Sequence, residues 1–139
     1  KKKNLKNLKF VNLKQIMILS DIIIIVANYN VGMKPIIGQE QIKLLKKKPI
    51  IVNVSRGKIV DEKIILNALN NKLIKGYACD VLSNDSNWDE KKIINNKIIN
   101  KFKKDNRLII TPHIGGYSID AIKSTRKFVL KKAAKYIFN

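Results

Sequence analysis

PIIVNVSRGKIVDEKIILNALNNKLIKGYACDVL, residues 49–82, is the stretch whose reading decides the fold. Pro49 stops whatever precedes it, and PIIVNVS is a short β-branched apolar run without alternation, the pattern of a strand buried in a parallel sheet. VDEKIILNALNNKLI then places apolar residues at helical spacing, with Asp61 and Glu62 in the first turn, where the helix dipole favours negative charge. KGYACDVL returns to the strand pattern. Strand, helix and strand in so short a span make a parallel crossover unit, because two parallel strands need a connection of that length.

The same alternation extends outward in both directions. Upstream, DIIIIVA (residues 21–27) is a continuous β-branched run, expected as a strand covered on both faces. Before it, NLKQIMILS offers Asn12 as an N-cap with Gln15 three residues on, the spacing of a capping box. Between the first two strands, IIGQEQIKLLKKK puts Ile36, Ile37, Ile42, Leu44 and Leu45 near helical spacing. Downstream, Ser83 to Asn106 is polar and rich in lysine and asparagine, consistent with a small helix or surface loop, and RLIITP is the last strand. A helix from about 118 to 138 closes the chain, capped by Ser118, with Ile122, Phe128, Val129, Ala133 and Ile137 as its expected buried stripe. The fold class is therefore α/β, an open, doubly wound parallel sheet, and its 139 residues suffice for about one domain.

Composition narrows the function less than it first suggests. The formal net charge is +19, yet only three of the 29 basic residues are arginine, the lysines are spread through every segment, and no aromatic residues interleave with them. Specific nucleic-acid binding is not expected, since it needs clustered bidentate donors or stacking platforms. Cys79 is the only cysteine, which excludes an internal disulfide and a cysteine-cluster metal site and fits a reducing, cytoplasmic setting. No metal site is expected. DIIIIVA is too short to span a bilayer, and KKKNLKNLKF has no signal-peptide core.

Ligands of open parallel sheets bind where the strands end, so the residues after each apolar run are the ones to inspect. They are Asn28 to Asn30, Ser55 to Gly57, Asp80 to Asp85, and His113 to Gly116, with His113 the only histidine in the chain. An arginine, candidate carboxylates and the single histidine thus gather at one sheet edge.

In this order, N-x-x-R-G followed by VDE, GYACDV and TPHIGG, the chain resembles the D-isomer-specific 2-hydroxyacid dehydrogenases, which include D-3-phosphoglycerate, D-lactate and glyoxylate/hydroxypyruvate enzymes. The resemblance runs from about Asn12 to about Lys127. It implies a Rossmann-like domain and hydride transfer between a nicotinamide cofactor, NAD with NADP not excluded, and a small 2-hydroxy or 2-oxo acid. It implies that Arg56 binds the carboxylate and carbonyl oxygen of the acid, a task suited to its planar fork. His113 resembles the acid–base. Asp85 stands where the family usually has the glutamate that orients this histidine, and Ser86 follows it rather than proline. Asp80 resembles the aspartate that meets the nicotinamide carboxamide, and Val54, Ser55, Gly115 and Gly116 fall where the family's backbone approaches the cofactor. Val26 and Asn28 replace the histidine and proline common in that loop.

The family's glycine-rich phosphate loop, G-x-G-x-x-G, is absent, as is the acidic residue that reads the ribose. The chain is therefore expected to be a C-terminal part, the incomplete second portion of a dinucleotide-binding domain over 1–139, whose last helix leads back toward an absent substrate domain. On that expectation the isolated chain is inactive, and the full-length protein is a homodimer. The alternative is a non-catalytic relative that uses the remaining sheet as an interaction module.

Overall fold

A computed structural model describes residues 8–83, 96–102 and 104–137. Four strands, β1 (Ile22–Ile25), β2 (Ile50–Asn53), β3 (Gly76–Cys79) and β4 (Leu108–Ile110), form one sheet in the order β1-β2-β3-β4. Every neighbouring pair is parallel. The helices are α1 (Leu13–Leu19), α2 (Gln39–Lys43), α3 (Glu62–Asn70), α4 (Lys97–Phe102) and α5 (Ile119–Ile137).

Local chemistry sets these boundaries. Asn12 caps α1 through the expected capping box, its Oδ1 accepting from the Gln15 N–H at 2.9 Å while Gln15 Oε1 accepts from the Asn12 N–H at 3.2 Å. Asp61 is not in the first turn of α3 but is its N-cap, with Oδ1 accepting from the Lys63 and Ile64 N–H groups. α2 is shorter than the apolar spacing suggested. Ile36 and Ile37 lie before it in extended chain, where both N–H groups donate to the Ile59 carbonyl and Ile37 bridges Val60. A tertiary backbone contact thus outcompetes one more helical turn.

Because consecutive strands are neighbours and advance in one direction, right-handed crossovers put α2, α3 and α4 on the same face of the sheet. Ile23, Ile25, Ile51, Tyr77, Cys79 and Leu108 point into the core on that face and pack with Met17, Ile42, Ile65, Leu69 and Ile98. The opposite face is open among the described residues, contrary to the expectation that the strands are covered on both sides. Ile25 is 6% exposed and its neighbour Ile24 61%, and Ile109, two strands beyond Val52 in register, is 58% exposed. β-branching reports a strand buried on both faces only when a second layer is present to bury it, and the described residues supply one layer.

The last helix also departs from expectation. Ser118 caps it, its Oγ accepting from the Ala121 N–H at 3.1 Å, but no residue of α5 is buried. Ile122, Val129, Ala133 and Ile137 share a stripe with Ile119, Leu130 and Tyr136; Ile122 is half-buried and the rest of the stripe is exposed among the described residues. Phe128 lies off that stripe on the cationic side, under the Lys132 ammonium at 5.1 Å from its ring centre. Helical periodicity identifies a face that wants a partner, not the partner itself.

Candidate functional site at the carboxyl ends of the strands

Each strand of this sheet ends at the same edge, and the backbone continues the ladder just past it. The Asp80 N–H donates to Asn53 O and the Thr111 N–H to Cys79 O, both at 3.0 Å. The loops that follow β2, β3 and β4 therefore start side by side, carrying Arg56, Asp80 and His113. Arg56 and His113 leave strands two apart, roughly 10 Å at normal inter-strand spacing.

The loop after β2 is built on Asn53, which is fully buried. Its Oδ1 accepts from the Ser55 N–H at 3.1 Å and its Nδ2 donates to Arg56 O at 3.0 Å, so one amide closes the turn that presents Arg56. Tyr77 on the neighbouring strand shares a side-chain hydrogen bond with Asn53, while burial pushes the Tyr77 hydroxyl well above its ordinary value and keeps it neutral. The Ser55 hydroxyl donates to Ala27 O and ties this turn to the loop after β1. Gly57 has no room for a side chain, since a Cβ there would sit 2.0 Å from the Leu82 carbonyl carbon. Glu62 accepts from the Ser83 N–H, and together these contacts join the β2 loop to the loop after β3.

Between the loops after β1 and β2 lies an open cleft of about 400 Å³ lined by Val26 to Asn30 and Val54 to Arg56. Of the expected residues, Val54, Ser55 and Arg56 line it. The Arg56 guanidinium is exposed and spends one N–H on its neighbour's carbonyl, Ser55 O, at 2.7 Å, which leaves its other donors for an anion.

Asp80 stands one strand over from the cleft, after β3, and its carboxylate is buried and hydrogen-bonded through both oxygens. Oδ1 accepts from the Thr111 hydroxyl and, at 3.0 Å, from the Ile114 N–H; Oδ2 accepts from the Gly115 N–H at 2.7 Å. Desolvation raises the Asp80 carboxyl, but the bonds from Thr111, Gly115 and Ile114 and the charge of His113 outweigh it and hold the group below its ordinary value of 3.8. A Cβ on Gly115 would approach Oδ2 to 2.9 Å, so glycine lets the backbone close on the carboxylate, whereas Gly116 faces open space. The loop folded around Asp80 is the one that carries His113, which is half-buried and has a left-handed backbone, φ 56°.

The structure therefore gathers Val54, Ser55 and Arg56 in the cleft, and Asp80, His113 and Gly115 in one bonded loop. Asp85 lies outside the described residues. Among the described residues no group of three or more His, Cys, Asp or Glu is placed to hold a metal, and no helix is long and apolar enough to cross a membrane. Two residues that shape the site carry no role in the sequence reading, Asn53 and Thr111. The available signal was a polar residue closing each apolar run before a turn, which is where side chains bond local backbone.

Three comparisons bear on this arrangement. A family model described as the D-isomer specific 2-hydroxyacid dehydrogenase, NAD binding domain, matches residues 1–115. A protein of Staphylococcus aureus strain MRSA252 that bears the name 2-hydroxyacid dehydrogenase is 34% identical over 125 residues, 90% of this chain and 36% of the relative. The chain thus spans about a third of the length of the curated relatives it matches. Among solved structures, D-lactate dehydrogenase from Aquifex aeolicus, complexed with NAD and lactic acid, matches with a TM-score of 0.77 at 25% identity over 99% of this chain and 44% of that one. The NAD-complexed D-isomer specific 2-hydroxyacid dehydrogenase from Lactobacillus delbrueckii ssp. bulgaricus has the same fold, with a TM-score of 0.77 at 22% identity over 89% of this chain and 39% of that one.

Proposed function

This chain belongs to the D-isomer specific 2-hydroxyacid dehydrogenase family, in its NAD-binding domain, and from that premise we propose that it is the second portion of the cofactor domain of an enzyme interconverting a small 2-oxo acid and its D-2-hydroxy acid. The observation that carries this is the single histidine, held in a left-handed turn at the strand ends, on the same sheet edge as an arginine with free donors.

The residues present fit the nicotinamide end of the cofactor. Val54, Ser55, Asp80, Gly115 and Gly116 sit at the sheet edge where such ligands bind, and the open space over Gly116 leaves backbone accessible. Nothing in the sequence matches the glycine-rich anchor for the pyrophosphate, and that element belongs to the part of the enzyme this chain does not represent. When bound, NAD supplies or accepts the hydride at the substrate's second carbon.

Arg56 pairs with the acid's carboxylate and carbonyl oxygen, neutralising one charge and polarising the carbonyl. In reduction His113 gives its ring proton to that oxygen as the C–H bond forms, so the carbonyl becomes a hydroxyl and the imidazole is left neutral; oxidation reverses the transfer. Asp85 is the residue assigned to orient His113. The open face of Ile22, Ile24 and Ile109 is assigned to the remainder of the domain, and α5 to the segment leading toward the substrate domain.

The test is NADH consumption by the complete enzyme with a panel of short 2-oxo acids. His113→Ala lowers turnover by about two to four orders of magnitude with NADH affinity nearly unchanged, whereas Arg56→Gln mainly raises the KM for the acid. Unchanged turnover in His113→Ala removes the assigned chemistry.

A further inference from the structure

We infer that Thr111 is a positioning residue for His113, acting through Asp80: its hydroxyl holds the carboxylate in the one orientation that lets the Ile114 and Gly115 N–H groups fold around it, and that fold sets the left-handed backbone of His113. The inference rests on the acid–base assignment of His113 proposed above, and it gives Asp80 a task distinct from contacting a cofactor.

The bonding pattern carries it. The peptide groups on the far side of His113 end on Asp80, Ile114 on Oδ1 and Gly115 on Oδ2. On the near side, Thr111 binds the same carboxylate with its hydroxyl, while its carbonyl accepts the His113 N–H at 3.0 Å. His113 is thus spanned by a ring of hydrogen bonds closed through a single buried carboxylate. A left-handed conformation is unfavourable at a residue with a Cβ and persists only where its surroundings impose it. Thr111 contributes the only side chain among the three donors, and without its hydroxyl the carboxylate rests on the Ile114 and Gly115 N–H groups alone, one on each oxygen, so the only anchor from the near side of His113 is lost and the loop around it loosens. The imidazole would then sample positions away from the reacting oxygen, where a displacement of about 1 Å costs roughly a hundredfold in rate.

The experiment uses the complete enzyme with NADH and pyruvate as probe, and compares Thr111→Val, which keeps the shape and loses the hydroxyl, with Thr111→Ser, which keeps the hydroxyl. Amide exchange at Ile114 and Gly115 and the ring resonances of the sole histidine report the loop independently of turnover. The expected result for Thr111→Val is exchange at both amides faster by about tenfold, and kcat lower by roughly ten- to a hundredfold with the NADH dissociation constant within about twofold. Thr111→Ser restores both. Unchanged amide exchange in Thr111→Val overturns the inference, as does faster exchange with unaltered kcat. A His113→Ala control separates the two levels: if it too leaves turnover intact, the acid–base assignment has failed, and if it abolishes turnover while Thr111→Val does not, only the positioning role has.

Discussion

Asp80 shows how much one residue does at this site, and it carries a pH dependence. Its carboxyl is held below the ordinary value, so the unfolded chain binds its proton more readily than the folded one. Its contribution is fully present above the unfolded value, near 3.8, and is lost as pH falls through the lower folded value. Acidification below about pH 3.8 therefore weakens the hold on the 111–115 loop, and Asp80→Asn removes that part of the acid sensitivity. Stability curves for the two proteins should converge at low pH, and parallel curves across the range would show that Asp80 is not the titrating group. Asp80 was legible in the sequence as a polar strand-end residue. Its three partners were not, because they lie 31 to 35 residues away and only the pairing of β3 with β4 brings them together. Asp105 behaves similarly. Bonds from Arg107 hold its carboxyl far below the usual range, a contact that unites the turn before β4 with the end of α3 through Arg107 and the Leu69 carbonyl.

Elements here were predictable to the degree that local chemistry alone determines them. The caps of α1, α3 and α5 are short-range bonds between residues two or three apart, and Asn12, Asp61 and Ser118 all act as caps. α2 starts later than its apolar spacing implies because Ile36 and Ile37 are claimed by the Ile59–Val60 backbone, a contact the local pattern cannot contain. The same region yields a sharp test. In Gly57→Ala the new methyl would lie about 2 Å from the backbone of Leu82 and Ser83, so one of the two loops must shift. The substitution should destabilise the protein by about 1–3 kcal/mol or more in urea unfolding, and under the function proposed for Arg56 it should also raise the KM for the 2-oxo acid. A variant as stable as the parent would mean that the two loops are not packed as described.

At the scale of the whole molecule the sheet has, among the described residues, one finished face and one open face. Ile51 is fully buried and Ile24 is largely exposed. Ile51→Ala should cost about 2–5 kcal/mol, whereas Ile24→Ala in the 139-residue chain should cost less than about 1 kcal/mol. In the complete enzyme the cost at Ile24 should rise toward that at Ile51 if the remaining portion of the domain covers this face, and equal small values in both contexts would count against that cover. By itself the sequence determined that the strands are parallel, since run length, β-branching and intervening helical spacing admit few other arrangements. It also determined that Arg56, Asp80 and His113 share an edge, because residues that follow the strands of a parallel sheet must emerge on the same side. Only the tertiary structure decided which face of the sheet is filled, where the stripe of α5 points, and which groups Asp80, Asn53 and Thr111 bond. Periodicity records that a side chain is apolar or a residue caps a run; its partner comes from a distant segment, and packing chooses it.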